Sequence, residues 1–531
     1  MTPLLLRRRP SIYEHVRRHV RPGGGLDESG ETLPDEERSR EEISWAPGAL
    51  EGTLVRYWGA PDVPEEQVAE LHEAVVALAD RPGRAARRRV VELAREVDLR
   101  AGIDALLDRL EAAPPRDLDR LHAELVRLLV TADRREEVKL AIALLGPFGH
   151  RPDAELFRTL AYHEEFTIYA AIALANVVDD RISEWLALLP HLSGWGKTEL
   201  TERLLRAPTE DVCAVLLRHG QSIGNALPLA SECRLHEALA ADDVDDELLD
   251  GARGIFDVLT GAFDSPDTLL DWPHAAEATV RLLELIGRTE RLDDYVLVGQ
   301  IRDFLAPPEG AEDERGATDD EPTHEEQLRS AGFDDVRLAR ALELADAILA
   351  RPEWRDRAEA ALRSDGGGTD GDAVNAARRL GLPLRAYLVE QIERRPNEAY
   401  PWYELVAGAD EERIDEAIAL AGRVLDLDAL ATGPALELFG PPEEEGPHQA
   451  AGFVLQELER FPGHGGSLLL PALRSPVIRH RLMAVRALGR WGRERLTEEF
   501  VDALAETSRS DPDEDVRRAA EDVLARRPVG D

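Results

Sequence analysis

Apolar residues recur along this chain at helical rather than strand spacing. Ile168, Ala171, Ile172 and Ala175 fall on one face of a 3.6-residue period, as do Ile414, Ala417, Ile418, Ala421 and Leu425. Ile478, Leu482, Val485 and Leu488 form a third stripe, and Val516, Ala519, Ala520 and Val523 a fourth. Period-two alternation is nearly absent; its best instance, TLVRYW at 53–58, is short and isolated. Small polar residues followed by proline mark helix starts at Ser265-Pro266, Ser475-Pro476 and Asp511-Pro512. The polar side chain accepts a free N–H of the first turn, and proline at the first helical position sacrifices no hydrogen bond. Ser11 with Glu14, and Asp511 with Glu514, have the spacing of a capping box. The pattern predicts an all-α chain of short helices joined by tight turns.

Two C-terminal segments share a frame. Arg481, Ala484, Ala487, Leu488 and Gly489 in the first are matched by Arg517, Ala520, Val523 and Leu524 in the second, with Ala484 and Ala520 36 residues apart. A weaker pair, Ala141-Leu144-Leu145-Gly146 and Ala170-Ala173-Leu174, is offset by 29. The frame resembles the second helix of a HEAT repeat, where alanine lets paired helices approach and leucine fills the seam. The stretch from Tyr400 to Arg495, with ATGPALELFGPP and FVLQELERFPG, is similar to a poorly characterised bacterial HEAT-repeat family, some members of which carry a limonene hydroxylase label. The resemblance implies a degenerate HEAT-like helical-repeat solenoid, an α-α superhelix. Stacked repeats of that kind leave a concave groove suited to a protein or peptide partner.

Three segments interrupt the helical pattern. RPGGGLDESGETLPDEERSREE at 21–42 is glycine-rich and then charged, and APPEGAEDERGATDDEPTHEEQ at 306–327 is acidic with almost no large apolar residue. SDGGGTDGD at 364–372 reads as a loop. The expected organisation is a mobile basic and charged arm over 1–45, a helical-repeat region over 46–305, an acidic flexible linker over 306–330, and a second helical-repeat region over 331–531. Limited proteolysis is expected to cut first between Ala306 and Gln327.

Charge narrows the partners. The net charge of -41, from 105 acidic and 64 basic residues, repels phosphate backbones and anionic membranes, so neither nucleic acid nor membrane is expected. A basic protein or peptide fits better. Lys139 and Lys197 are the only lysines. Two cysteines, Cys213 and Cys233, make no disulfide framework and have no metal-ligand spacing around them, and no secretory signal or apolar span is evident. A reducing cytoplasm is expected.

Candidate chemistry is sparse. GWGKT at 194–198 ends like a phosphate-binding loop, but the residue five before Gly196 is His191 where the loop needs glycine, and the preceding ISEWLALLPHL has helical spacing. It is expected to be a turn between helices, with Thr198 capping the second and Lys197 pointing into water. Four His-Glu dipeptides occur: His72-Glu73, His163-Glu164, His236-Glu237 and His324-Glu325. LHEAVVALA at 71–79 resembles the local motif of HEAT-repeat iron hydroxylases of the deoxyhypusine type, and that likeness implies the alternative, a metal-dependent hydroxylase or oxygenase. The intervals of 91, 73 and 88 residues exceed the single repeat that separates the motifs in those enzymes. His15 and His19 share one side of a short arginine-rich helix, which reads as a basic amphipathic arm rather than a metal site. No catalytic, cofactor-binding or metal-ligating residue is assigned, and the expected function is non-catalytic.

Overall fold

In the computed structural model, the described residues are 10–36, 47–49, 63–261 except 223, 267–307, 323–364, 370–438, and 445–525 except 493. Among them are 28 α-helices and no strand, so the all-α expectation stands. TLVRYW and the Ser265-Pro266 start lie outside the described residues. No described helix is long and apolar enough to cross a membrane. The chain divides into two compact units between Ala350 and Arg351. The division expected within 306–330 is therefore placed differently: residues 308–322 lie outside the description, and His324–Ser330 is a helix of the first unit with Leu328 buried. Thr323 caps that helix reciprocally with Glu326, a local signal that overrides the acidic composition.

Three helices of the first unit share a register of about thirty residues. Helices Arg135–Phe148, Glu164–Val177 and Gly194–Leu205 begin 29 and 30 residues apart. They run parallel, since early residues meet early residues and late meet late. A Cβ placed on Gly196 would lie 2.5 Å from Thr167 Oγ1, and one on Gly146 would lie 3.4 Å from the Ala173 Cα. Small residues at these crossings let the helices approach, while Leu144, Leu145, Phe166 and Leu174 fill the seam with no exposed surface. The shorter helices Ala154–Ala161 and Arg181–Leu188 pack against Glu164–Val177.

The N-terminal segment packs rather than trails. Ile12 and Val16, four residues apart on helix Ile12–His19, are fully buried against helices Leu118–Thr131 and Ala154–Ala161. Ser11 Oγ donates to the Val130 carbonyl at 2.6 Å, and Asp35 pairs with Arg135 at 3.3 Å. The described part of the arm expected over 1–45 is thus a docked element. Its apolar stripe is only two residues wide, which the surrounding arginines conceal in the sequence.

In the second unit, helix Ile478–Gly489 packs on Glu514–Ala525, and Trp402, Ile414, Val485, Leu488 and Val516 share one core. The proline-marked starts are displaced here. Helix Ile478–Gly489 begins two residues after Pro476, and the N–H of Val516 is accepted by Asp513 at 3.0 Å. Asp511, read as the cap, is buried instead and binds Arg481.

Candidate functional site

A cleft of about 280 Å³ opens in the first unit across helices Leu99–Ala112, Arg135–Phe148, Glu164–Val177 and Gly194–Leu205. Its trough is apolar: Ile103, Leu107, Ile168, Tyr169, Ile172 and Trp195 contribute, and Ile172 is 41% exposed. Helix Glu164–Val177 is apolar on nearly every side. Phe166, Ala170, Ala173 and Leu174 face the core, while Ile168, Tyr169 and Ile172 line the cleft. The stripe Ile168-Ala171-Ile172-Ala175, expected to be one helix face, is divided in its burial: Ala171 is buried and Ile172 is not. A helix apolar all round must either be enclosed or present a face to something else, and that was the available sequence signal.

One end of the cleft is set by a buried carboxylate. Glu165 is held by Lys139 Nζ at 2.5 Å and Arg135 at 3.5 Å, and accepts the Gly48 N–H at 3.2 Å. Burial opposes its charge, but the two cations outweigh it and keep the carboxyl below its ordinary range. Lys139, one of only two lysines, is thus an internal counter-ion. Arg100 is engaged by Asp98 at 2.8 Å. Among the described residues, Asp104 and Glu199 line the cleft with no ion-pair partner, and so does Arg203, whose Nε is buried without a hydrogen bond. Burial, then nearby Arg206, lower the Arg203 pKa.

The GWGKT stretch opens a helix. Ser193 is the N-cap, Gly194 has φ +50°, and Gly196 to Thr198 fall in the first turn, so Thr198 is not a cap. Its hydroxyl donates to the Gly194 carbonyl at 3.2 Å and lies 3.0 Å from Ser222 Oγ. The place a phosphate would take is filled from within: Ser193 Oγ donates to Glu164 at 2.7 Å, and a Cβ on Gly194 would overlap the Glu164 carboxylate. Negative charge belongs at a helix N-terminus, and here the protein supplies it. Lys197 is half-buried rather than free in water, and burial lowers its pKa. Gly194→Ala is expected to destabilise the first unit by about 1–3 kcal/mol, combining positive φ with the overlap, as measured by urea denaturation. Titration of ATP or GTP with magnesium is expected to show no saturable micromolar binding, and Lys197→Met to leave that result unchanged.

The His-Glu dipeptides occupy separate structural roles. His72 Nε2 lies 3.2 Å from the Ala113 carbonyl. His163 caps helix Glu164–Val177, its Nδ1 accepting the Glu165 N–H at 3.2 Å while Nε2 lies 3.1 Å from the Glu31 carbonyl. Burial lowers its pKa to about 4. His236 stacks on His274 with ring centroids 3.9 Å apart, and His324 begins helix His324–Ser330. Among the described residues no group of three or more His, Cys, Asp or Glu side chains is placed to hold a metal ion. The His15 and His19 rings lie 4.7 Å apart, tilted by 46°, and His19 is 2.9 Å from Asp27.

No protein-family model matches the chain, and no curated protein matches it significantly.

Proposed function

We propose that this protein is a non-catalytic, HEAT-like helical-repeat scaffold of the cytoplasm that holds a protein or peptide partner in a groove. The cleft over Glu164–Val177 carries this reading. Parallel helices at 29- and 30-residue intervals supply a continuous surface, as stacked repeats do. On that surface Ile172, Tyr169 and Trp195 stand partly uncovered among polar neighbours, where an interaction anchor belongs. The buried Glu165 is spent on Lys139 and the partly buried Glu164 on a helix start, which supports a groove shaped for contact rather than chemistry.

An unbiased displayed dodecapeptide library, panned against the full chain, tests this. Peptides are expected to be enriched on the wild type, and Ile172→Glu to weaken their binding at least tenfold with unchanged circular dichroism. No enrichment, or binding indifferent to Ile172→Glu, would refute the groove.

A further inference from the structure

We infer that the occupant of this cleft is a basic peptide, with lysine or arginine side chains drawn to Asp104 and Glu199 on its walls and a neighbouring large apolar side chain seated on Ile168, Tyr169 and Ile172. This rests on the groove reading above and adds the ligand's chemistry. Charge accounting along the cleft carries it. Glu165 is neutralised by Lys139 and Arg135, Arg100 is engaged by Asp98, and Glu164 is committed to Ser193 and the start of the following helix. Among the described residues, the lining groups without an ion pair are two carboxylates, Asp104 and Glu199, and one guanidinium, Arg203, which feels the Glu199 charge four residues before it on the same helix. Elsewhere in the unit, Glu124 has Arg87 and Glu184 has Arg158 across from it on another helix. Asp104 and Glu199 stand on helices Leu99–Ala112 and Gly194–Leu205, the first and last of the four that line the cleft, with the apolar trough of Glu164–Val177 among the walls. A side chain with an aliphatic stem and a charged tip matches that pattern: the stem covers apolar surface while the tip meets a carboxylate.

Arg203 sets the polarity. One turn beyond Glu199 on the same helix, it repels a second cation at that end, so the ligand's charge lies on the Glu164 side of Arg203. The whole chain, at -41, reinforces the selection by attracting basic segments during encounter.

The probe is the set of peptides selected by panning, resynthesised with each Lys or Arg changed to Gln or Glu. Selected sequences are expected to carry a cation beside a Leu, Ile, Phe or Trp, and its change to Gln to weaken binding about tenfold in 50 mM salt and less in 500 mM. Combining Asp104→Asn with Glu199→Gln should cause the same loss and remove the effect of the peptide change. The pair Asp104→Arg with Glu199→Arg should prefer the Glu peptide. Neutral or acidic peptides that still require Ile172 would overturn the charge assignment and leave the groove standing. A panning experiment that enriches nothing would remove both.

Discussion

Arg481→Ala is expected to destabilise the second unit by about 3–5 kcal/mol, the range for breaking a buried ion pair from one side. Arg481 and Asp511 have no exposed side-chain surface. The guanidinium donates through Nε and Nη2 to both carboxylate oxygens at 2.7 and 2.9 Å, and through Nη1 to the carbonyls of Ser475 and Pro476 at 2.8 and 3.0 Å. Truncating it strands the Asp511 charge and the Ser475 carbonyl in the interior, while the Pro476 carbonyl keeps the Glu437 N–H. Arg481→Lys should recover only a part, because an ammonium cannot reproduce the planar two-point contact. Arg481→Met combined with Asp511→Leu should cost less than Arg481→Ala alone, since neither charge is then left unpaired. Hydrogen exchange in helix Ile478–Gly489 under increasing urea resolves this unit from the first. Equal stability of wild type and Arg481→Ala would contradict the buried-pair assignment.

Acid should weaken both units well before the carboxylates titrate. His163 and His448 are each 2% exposed, and burial lowers their pKa to about 4; His480, 5% exposed, is lowered to about 3. The fold favours the neutral ring, whereas the unfolded chain takes up protons near the ordinary histidine value of 6.5. Above about pH 6.5 both states are neutral and these groups leave stability unchanged. As pH falls from there toward 4, the unfolded state gains protons that the native state refuses, and stability drops by up to about 3 kcal/mol for each of His163 and His448. His448 is the clearer test, because neither ring nitrogen has a hydrogen-bond partner. His448→Leu should flatten the decline of the second unit and raise its stability at pH 5, as read from urea midpoints between pH 7.5 and 4.5. An unchanged slope would contradict this.

The helices and their local register were legible in the sequence because both depend on spacing. The 36-residue frame of Ala484 and Ala520 corresponds to two packed helices, and its arginines, Arg481 and Arg517, both reach Asp511. The 29-residue frame of Ala141 and Ala170 likewise marks two parallel buried faces. What depends on tertiary partners was not legible. Asp511 reads as a cap beside Pro512 until Arg481, thirty residues away, is seen to take it into the core, leaving Asp513 to cap. Glu164 reads as half of a metal motif until Ser193 brings it to the next helix start. The cleft itself is hidden because an apolar residue facing a groove and one facing the core have the same letter, so Ile172 could not be told from Ala171 by periodicity.

Hydrogen-exchange mass spectrometry of the full chain, with and without a panned peptide at saturation, measures the groove most directly. Slowed exchange is predicted in Leu99–Ala112, Glu164–Val177 and Gly194–Leu205, with none in Ile478–Gly489 or Glu514–Ala525, and it should vanish in Ile172→Glu. Protection centred on the second unit, or unaffected by Ile172→Glu, would contradict a scaffold that binds through this cleft.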